Sequence, residues 1–121
     1  METWQEDLVE RTVPRIHSII KEINRRLCEE LWNRYPGEWA KISRMPIIEH
    51  DRIKMANLSV YGSHSVNGVA ALHSDIIKKS IFKDYYEFTP EKFTNVTNGI
   101  AYRRWLCQAN PELTSLLVDC I

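Results

Sequence analysis

The residue types that could do chemistry in this sequence of 121 residues are four histidines, three cysteines and a few polar loops. His64 and His73 flank a predicted strand-to-helix corner, but no cysteine or carboxylate beside them completes a metal-ligand set. Core or surface roles are therefore expected for them and for His17 and His50, and no metal is expected. Cys28, Cys107 and Cys120 have no metal spacing, and an odd number cannot all pair. Without a visible secretion signal they read as reduced thiols, which points to the cytoplasm. "GSHSVNG" carries two glycines near a helix start, yet lacks both the GxGxxG spacing and the Gly-Lys-Ser/Thr ending of a phosphate loop.

The richest stretch is "FTNVTNGIAYRRW", which holds three competing signals. Asn95-Val96-Thr97 has the form of a glycosylation acceptor, a chance match in a cytoplasmic protein. Asn98-Gly99 favours a tight turn, since both residues tolerate positive φ. Arg103, Arg104 and Trp105 could form a basic, aromatic nucleic-acid patch. Sixteen basic residues balance sixteen acidic ones, however, and a nucleic-acid module needs a clustered positive excess. Lys78-Lys79 and Arg103-Arg104 are then solvated pairs, and Tyr85, Tyr86 and Phe88 are read as core rather than as a sugar platform.

The elements that must position these residues follow from periodicity. With 44% hydrophobic and 26% charged residues, the chain has the balance of a globular protein with one core. No segment approaches the roughly 20 apolar residues of a membrane span. Ile16, Ile19, Ile20, Ile23, Leu27 and Leu31 form a helical stripe from Pro14 to about Asn33, supported by a Glu22–Arg26 pair. "YPGEW" ends that helix, and a shorter one is predicted over Glu38–Arg44. Ala56, Leu58 and Val60 alternate with Met55, Asn57, Ser59 and Tyr61 and predict a strand, with "PIIEHD" as its hairpin partner turning near Glu49–Arg52. A largely buried helix is expected over Ser65–Ser80, carrying Val66, Val69, Leu72, Ile76 and Ile77. Thr89-Pro90 predicts the cap and first residue of a short helix through "PEKF". "YRRWLCQA" reads as helical, and Asn110-Pro111 starts a last helix bearing Leu113, Leu116 and Leu117. These readings define a mainly α unit with one short β-strand pair.

Taken in order, "MANL", "GSHSVNGVAALHS", "FKDYYE", "PEKF", "TNGI" and "RRWL" resemble the glycogen (α-glucan) phosphorylases, a family that includes starch and maltodextrin enzymes. "VPRIHSIIKEINRRL" and "ISRMPIIEHDRIKMANL" extend the resemblance to nearly the whole chain, from about Glu2 to Leu117. The family's enzymes are several times longer, so the resemblance implies an internal excerpt of a two-lobed, Rossmann-like (GT-B type) α/β enzyme. Residues 1–97 would be the end of the N-terminal lobe, and 98–121 the inter-lobe junction with the start of the following helices.

Such glycosyltransferases use inorganic phosphate to cleave the terminal α-1,4 bond of a glucan, releasing glucose 1-phosphate with retained configuration. Pyridoxal phosphate is their cofactor, its 5′-phosphate relaying a proton. By this resemblance Asn98 hydrogen-bonds the 6-hydroxyl of the transferred glucosyl unit, and Val69 lines the same pocket by apolar contact. Gly68 would allow close backbone approach. Asn24 and Arg26 match a surface glucan-storage site, but Ser18 and Lys21 replace sugar-contacting residues there and the aromatic platform is lost. The family often has Thr-Pro where Ala101-Tyr102 stand here. The cofactor lysine and phosphate cluster match nothing in this sequence, so these residues alone are expected to be inactive and to bind no pyridoxal phosphate. Neither nucleic acid nor membrane is an expected partner, and self-association through exposed apolar surface is. The alternative is a free-standing helical carbohydrate-binding or protein-interaction module.

Overall fold

The computed structural model describes residues 2–121. The chain opens with strand β1 (Thr3–Gln5) and helix α1 (Glu6–Thr12). Helix α2 (Pro14–Arg34) follows, with Pro14 at its first turn, where a missing N–H leaves no bond unmade. Its buried residues are His17, Ile20, Leu27 and Leu31, one above another on the inward face. Ile16 and Ile19, at the margin of the predicted stripe, stay about half exposed. The solvent side carries ion pairs of Arg25 with Glu22 and Glu29, and the predicted Arg26–Glu22 pair at 2.8 Å.

Helix α3 (Trp39–Arg44) lies where the sequence placed it, and strands β2 (Ile48–Glu49) and β3 (Arg52–Lys54) form a hairpin that turns where expected, although its second strand is Arg52–Lys54 and not the predicted Ala56–Val60. His50 and Asp51 turn it, both with positive φ (49° and 56°), a two-residue geometry whose twist suits antiparallel strands. β1 pairs with the other edge of β3, Trp4 opposite Ile53, making a three-stranded antiparallel sheet in the order β1-β3-β2. Periodicity could not reveal a three-residue strand so far from its partner.

The predicted strand over Ala56–Val60 is a helix, α4 (Met55–Gly62). The inward positions are Asn57 and Val60, three apart as on a helix. Counting Asn57 as outward-facing produced the false alternation. Its buried amide lies within hydrogen-bonding distance of the carbonyls of Arg44 (3.4 Å), Met45 (3.2 Å) and Pro46 (3.1 Å), which makes burying it acceptable.

The Ser65–Ser80 helix is also corrected. Its first residues form strand β4 (Val66–Gly68), and helix α5 (Ala71–Ile76) begins later, running into a π-helical turn over Ile77–Ile81. Its apolar arc is not buried: Leu72 is 70% exposed, and Val69 and Ile76 are each 41% exposed. Helix α6 (Lys83–Phe88) buries Tyr85 and Phe88, as the core reading of these aromatics required. Pro90–Lys92 makes one 3-10 turn, and the Thr89 hydroxyl donates back to the Tyr85 carbonyl rather than capping it. Strand β5 (Phe93–Asn95) then pairs in parallel with β4: Val66 with Phe93, Asn67 with Thr94, Gly68 with Asn95.

After β5 come an irregular stretch, a π-helical segment over Arg103–Gln108 and helix α7 (Pro111–Cys120). Asn110 caps α7 by accepting from the Leu113 N–H at 3.1 Å. Neither of the last two elements contains a buried residue. The core lies instead where α2, the β2–β3 hairpin, α4 and α6 meet. Leu27, Leu31, Met45, Ile47 and Ile53 are fully buried there, and Val9, Ile20, Val60, Tyr85, Phe88 and Phe93 complete the cluster. The architecture is mainly helical with short strands.

Candidate functional site

The parallel β4–β5 pair brings together the two residues singled out as sugar contacts. Past the strand ends, the Val96 N–H donates to the Gly68 carbonyl and the Asn98 N–H to the Val69 carbonyl, each at 3.0 Å. Val69 and Asn98, far apart in sequence, are thus neighbours at one end of the small sheet. Both are exposed.

The close fit beneath them explains Gly68. A Cβ at this position would lie 2.2 Å from Ser74 Oγ, 2.5 Å from its N and 2.6 Å from its Cα. The glycine therefore lets α5 sit directly on β4, and its close neighbour is a helix rather than a ligand. Ser74, buried, has its hydroxyl 2.6 Å from Asn95 Oδ1 and 3.0 Å from the Ala70 carbonyl. The Asn95 amide in turn donates to Thr97 Oγ1 at 3.0 Å. The polar side chains of the apparent glycosylation motif are thus joined to each other and to α5. The expected Asn98-Gly99 turn is absent: residues 96–101 form neither a turn nor a bend, and neither Asn98 nor Gly99 has positive φ.

Val69 lines a concavity of about 270 Å³ with Gly68, His73, Ile76 and Ile81. Its walls are mostly apolar, with the His73 imidazole as the one titratable group, a composition suited to the C–H face of a sugar or to another apolar surface. His73 and Ser74 do not stand out in the sequence as neighbours of the site, because their proximity depends on the α5–β4 contact.

The Asn24–Arg26 pair behaves differently. Asn24 Oδ1 accepts from the backbone N–H groups of Ile47 (2.8 Å) and Ile48 (3.2 Å), tying α2 to the hairpin. Arg26 is bonded to Glu22 and faces another flank of α2. Residues two positions apart on a helix point about 200° apart, so these side chains do not converge. Asn24 instead borders an open groove of about 680 Å³ that also contains Lys21, Arg25, Cys28 and Trp32. Trp32 packs edge-to-face against Trp39 at 4.9 Å, and the two are 53% and 63% exposed. This exposed tryptophan pair also escapes a reading of the sequence, because neither residue belongs to a recognisable motif.

The remaining candidates have local partners. His17 is buried, its Nε2 lying 2.8 Å from Glu6 and its Nδ1 3.7 Å from Glu10. Lys79 pairs with Asp75 at 2.8 Å, and Lys78 lies over the Tyr86 ring. Arg104 lies over the Trp105 ring. Among the described residues no cluster of three or more metal-ligating side chains occurs, and no helix is long and apolar enough to cross a membrane. Burial raises the Cys28 thiol above its ordinary pKa, which lowers its reactivity.

Comparison with known proteins matches residues 1–121 to the carbohydrate phosphorylase family model. The chain is 46% identical over 121 residues to the glycogen phosphorylase of Bacillus subtilis. It is 47% identical over 124 aligned positions to the brain form of Rattus norvegicus and 46% identical over the same span to the muscle form of Bos taurus. In each case the whole chain is covered, and it spans only 15% of the relative's length. The match includes the strand-end segments that carry Val69 and Asn98, and the chain belongs to the carbohydrate phosphorylase family.

Proposed function

We propose that this chain is a segment of an α-glucan phosphorylase, a pyridoxal-phosphate-dependent glycosyltransferase that releases glucose 1-phosphate from the end of an α-1,4-glucan with inorganic phosphate. The backbone bond between Asn98 and Val69 is the observation that carries this reading. It leaves a carboxamide and an apolar side chain at one sheet end, a pairing that suits the two faces of a sugar. The Asn98 amide can both donate to and accept from the 6-hydroxyl, while Val69 contacts carbon and excludes water. Residues 1–97 then belong to the N-terminal lobe of a GT-B enzyme, and 98–121 to the junction with the second lobe. The lack of any buried residue in the Arg103–Gln108 segment and α7 supports a junction role, since their apolar faces await covering.

Pyridoxal phosphate does not fit the residues present. A site for it needs a lysine facing an enclosed polar cavity. Lys41 and Lys83 pair with Glu87, Lys54 with Glu49 and Lys79 with Asp75, Lys92 donates to the Tyr61 carbonyl, Lys78 lies over the Tyr86 ring, and Lys21 borders only the open groove beside α2. No lysine lines the concavity at Val69. Cofactor chemistry in this reading is supplied by other parts of the polypeptide, and this segment's task is to hold the sugar. Three free cysteines agree with a cytoplasmic enzyme.

In the complete polypeptide, Asn98→Ala should lower kcat/KM for maltoheptaose phosphorolysis about 10- to 100-fold, the loss of one polar contact in a desolvated site. A complete polypeptide that releases no glucose 1-phosphate, or an Asn98→Ala enzyme within twofold of the parent, would refute the reading. The isolated chain should self-associate through Leu72, Ile100, Trp105 and Leu116, which are 58–80% exposed. Sedimentation across a concentration series checks this, a constant monomer mass being the contrary result.

One observation favours a second reading, a carbohydrate-binding module: the exposed Trp32–Trp39 pair beside an open groove edged by Lys21, Asn24 and Arg25, since indole rings stack on sugars. Saturable quenching of the isolated chain's fluorescence by maltoheptaose, abolished by Trp32→Ala, would support it. No response at millimolar sugar would remove it.

A further inference from the structure

We infer that Ser74, Asn95 and Thr97 are positioning residues that hold Asn98 against β4, and that through Asn98 they set selectivity for the 6-hydroxymethyl group of the transferred sugar. The inference rests on the reading of Asn98 given above and adds the device that aims it. None of the three residues is proposed to touch the sugar.

The backbone after β5 is irregular, with residues 96–101 outside regular secondary structure. Two backbone bonds tie this stretch to β4, from Val96 N–H to the Gly68 carbonyl and from Asn98 N–H to the Val69 carbonyl. Two bonds on an exposed strand extension are a weak tether, since exposed backbone hydrogen bonds contribute little net stability. What anchors it is the line of side chains beneath. Ser74 is 4% exposed and wedged against Gly68, so its position is determined by the α5–β4 packing. Its hydroxyl meets the Asn95 amide at 2.6 Å, and that amide meets Thr97 Oγ1 at 3.0 Å. A buried helix residue is thereby linked to the residue directly before Asn98.

The donor inventory supports a connected line rather than chance contacts. One hydroxyl hydrogen cannot serve both Ala70 O and Asn95 Oδ1 together. With the Asn95 amide turned over, its N–H₂ donates to Ser74, Ser74 donates to Ala70, and Thr97 donates to the amide oxygen. Either orientation keeps Ser74, Asn95 and Thr97 joined. The consequence is geometric. A carboxamide that discriminates one hydroxyl must be held to a few tenths of an ångström, and the loss of its support costs selectivity before it costs folding.

The test uses the complete polypeptide in the direction of glucan synthesis. Glucose 1-phosphate is compared with α-D-xylose 1-phosphate, which lacks the 6-hydroxymethyl group. Asn98→Ala should collapse the preference for the glucosyl donor. Ser74→Ala and Thr97→Val should each lower that preference at least fivefold, leaving the rate on the xylosyl donor within about twofold. Thr97→Ser, which keeps the hydroxyl, should restore most of it. Adding Ser74→Ala to Asn98→Ala should change the ratio no further, because both act through one contact. Amide exchange in a peptide covering residues 96–98 should also quicken in Ser74→Ala and Thr97→Val.

If Asn98→Ala loses the preference while Ser74→Ala and Thr97→Val keep it, the positioning role is overturned and the reading of Asn98 stands. Equal losses on both donors in these two variants would likewise overturn it, marking a merely structural role. A full preference in Asn98→Ala would overturn the reading of Asn98 and this inference together.

Discussion

Substituting alanine for Gly68 places a methyl carbon 2.2 Å from Ser74 Oγ, 2.5 Å from Ser74 N and 2.6 Å from Ser74 Cα. Non-bonded carbons are at ease near 3.5–4.0 Å, so α5 must retreat from β4 by about 1 Å. Two of the three opposing atoms are backbone and cannot rotate away. Overpacking of this kind costs roughly 1–3 kcal/mol, and the stiffer unfolded chain returns about 0.4–1 kcal/mol. A net loss of about 1.3 kcal/mol is expected. For a urea slope near 1.5 kcal/mol/M this lowers the unfolding midpoint by roughly 1 M. Gly62→Ala and Gly99→Ala are internal controls, because a methyl group at either position meets nothing within 4 Å, and both should fall within about 0.5 kcal/mol of the parent. Adding Ser74→Gly to Gly68→Ala removes only the hydroxyl clash and should rescue little. The reasoning is refuted if Gly68→Ala is as stable as the parent, or if Ser74→Gly restores it fully.

Asn24→Ala should destabilise the chain by about 1–3 kcal/mol, because it strips the acceptor from two N–H groups, while Asn24→Asp keeps that acceptor and should lose less by urea titration. Burial raises the Tyr85 hydroxyl above the ordinary tyrosine range, and it donates to the Met45 carbonyl at 2.5 Å. Stability from this raised group is complete below about pH 10 and falls as pH rises beyond it, so Tyr85→Phe should flatten part of the alkaline limb of a stability–pH curve. Tyr61, pushed up to about 12 by burial and the neighbouring Glu30, acts in the same direction and should leave a residual slope. At the acid end, hydrogen bonds from Arg25 and Arg26 hold the Glu22 carboxyl at about 2. Its contribution is present above the usual carboxylate range and fades as pH falls toward 2. Glu22→Gln should therefore shallow the acid limb, an effect that salt diminishes because the group is exposed.

Local signals predict well wherever the determining contacts lie close in sequence. The long stripe of α2, Pro14 at its start, the Asn110 cap of α7 and the reversal between Glu49 and Arg52 all follow from residues within a few positions of each other. The family resemblance is likewise carried by short strings in a fixed order, and comparison of the whole chain bears it out. Signals that depend on which way a side chain faces fare worse. Asn57 looks like a surface residue and makes α4 look like a strand, because one polar type can face inward once three carbonyls receive it. The apolar arc of α5 suggests burial, yet Leu72 stays 70% exposed and Ile76 41%.

By itself the sequence determined the family, helices α2, α3 and α7, the place of the hairpin turn and, through the resemblance, the pair of residues to watch, Val69 and Asn98. Tertiary structure decided that these two are neighbours, that Asn24 ties a helix to a hairpin, and that the apparent glycosylation motif is hydrogen-bonded to α5 through Ser74. The reason is the parallel pairing of β4 with β5. Two three-residue strands carry almost no periodicity of their own, and they pair across the intervening helices α5 and α6, a separation that no local window of sequence spans.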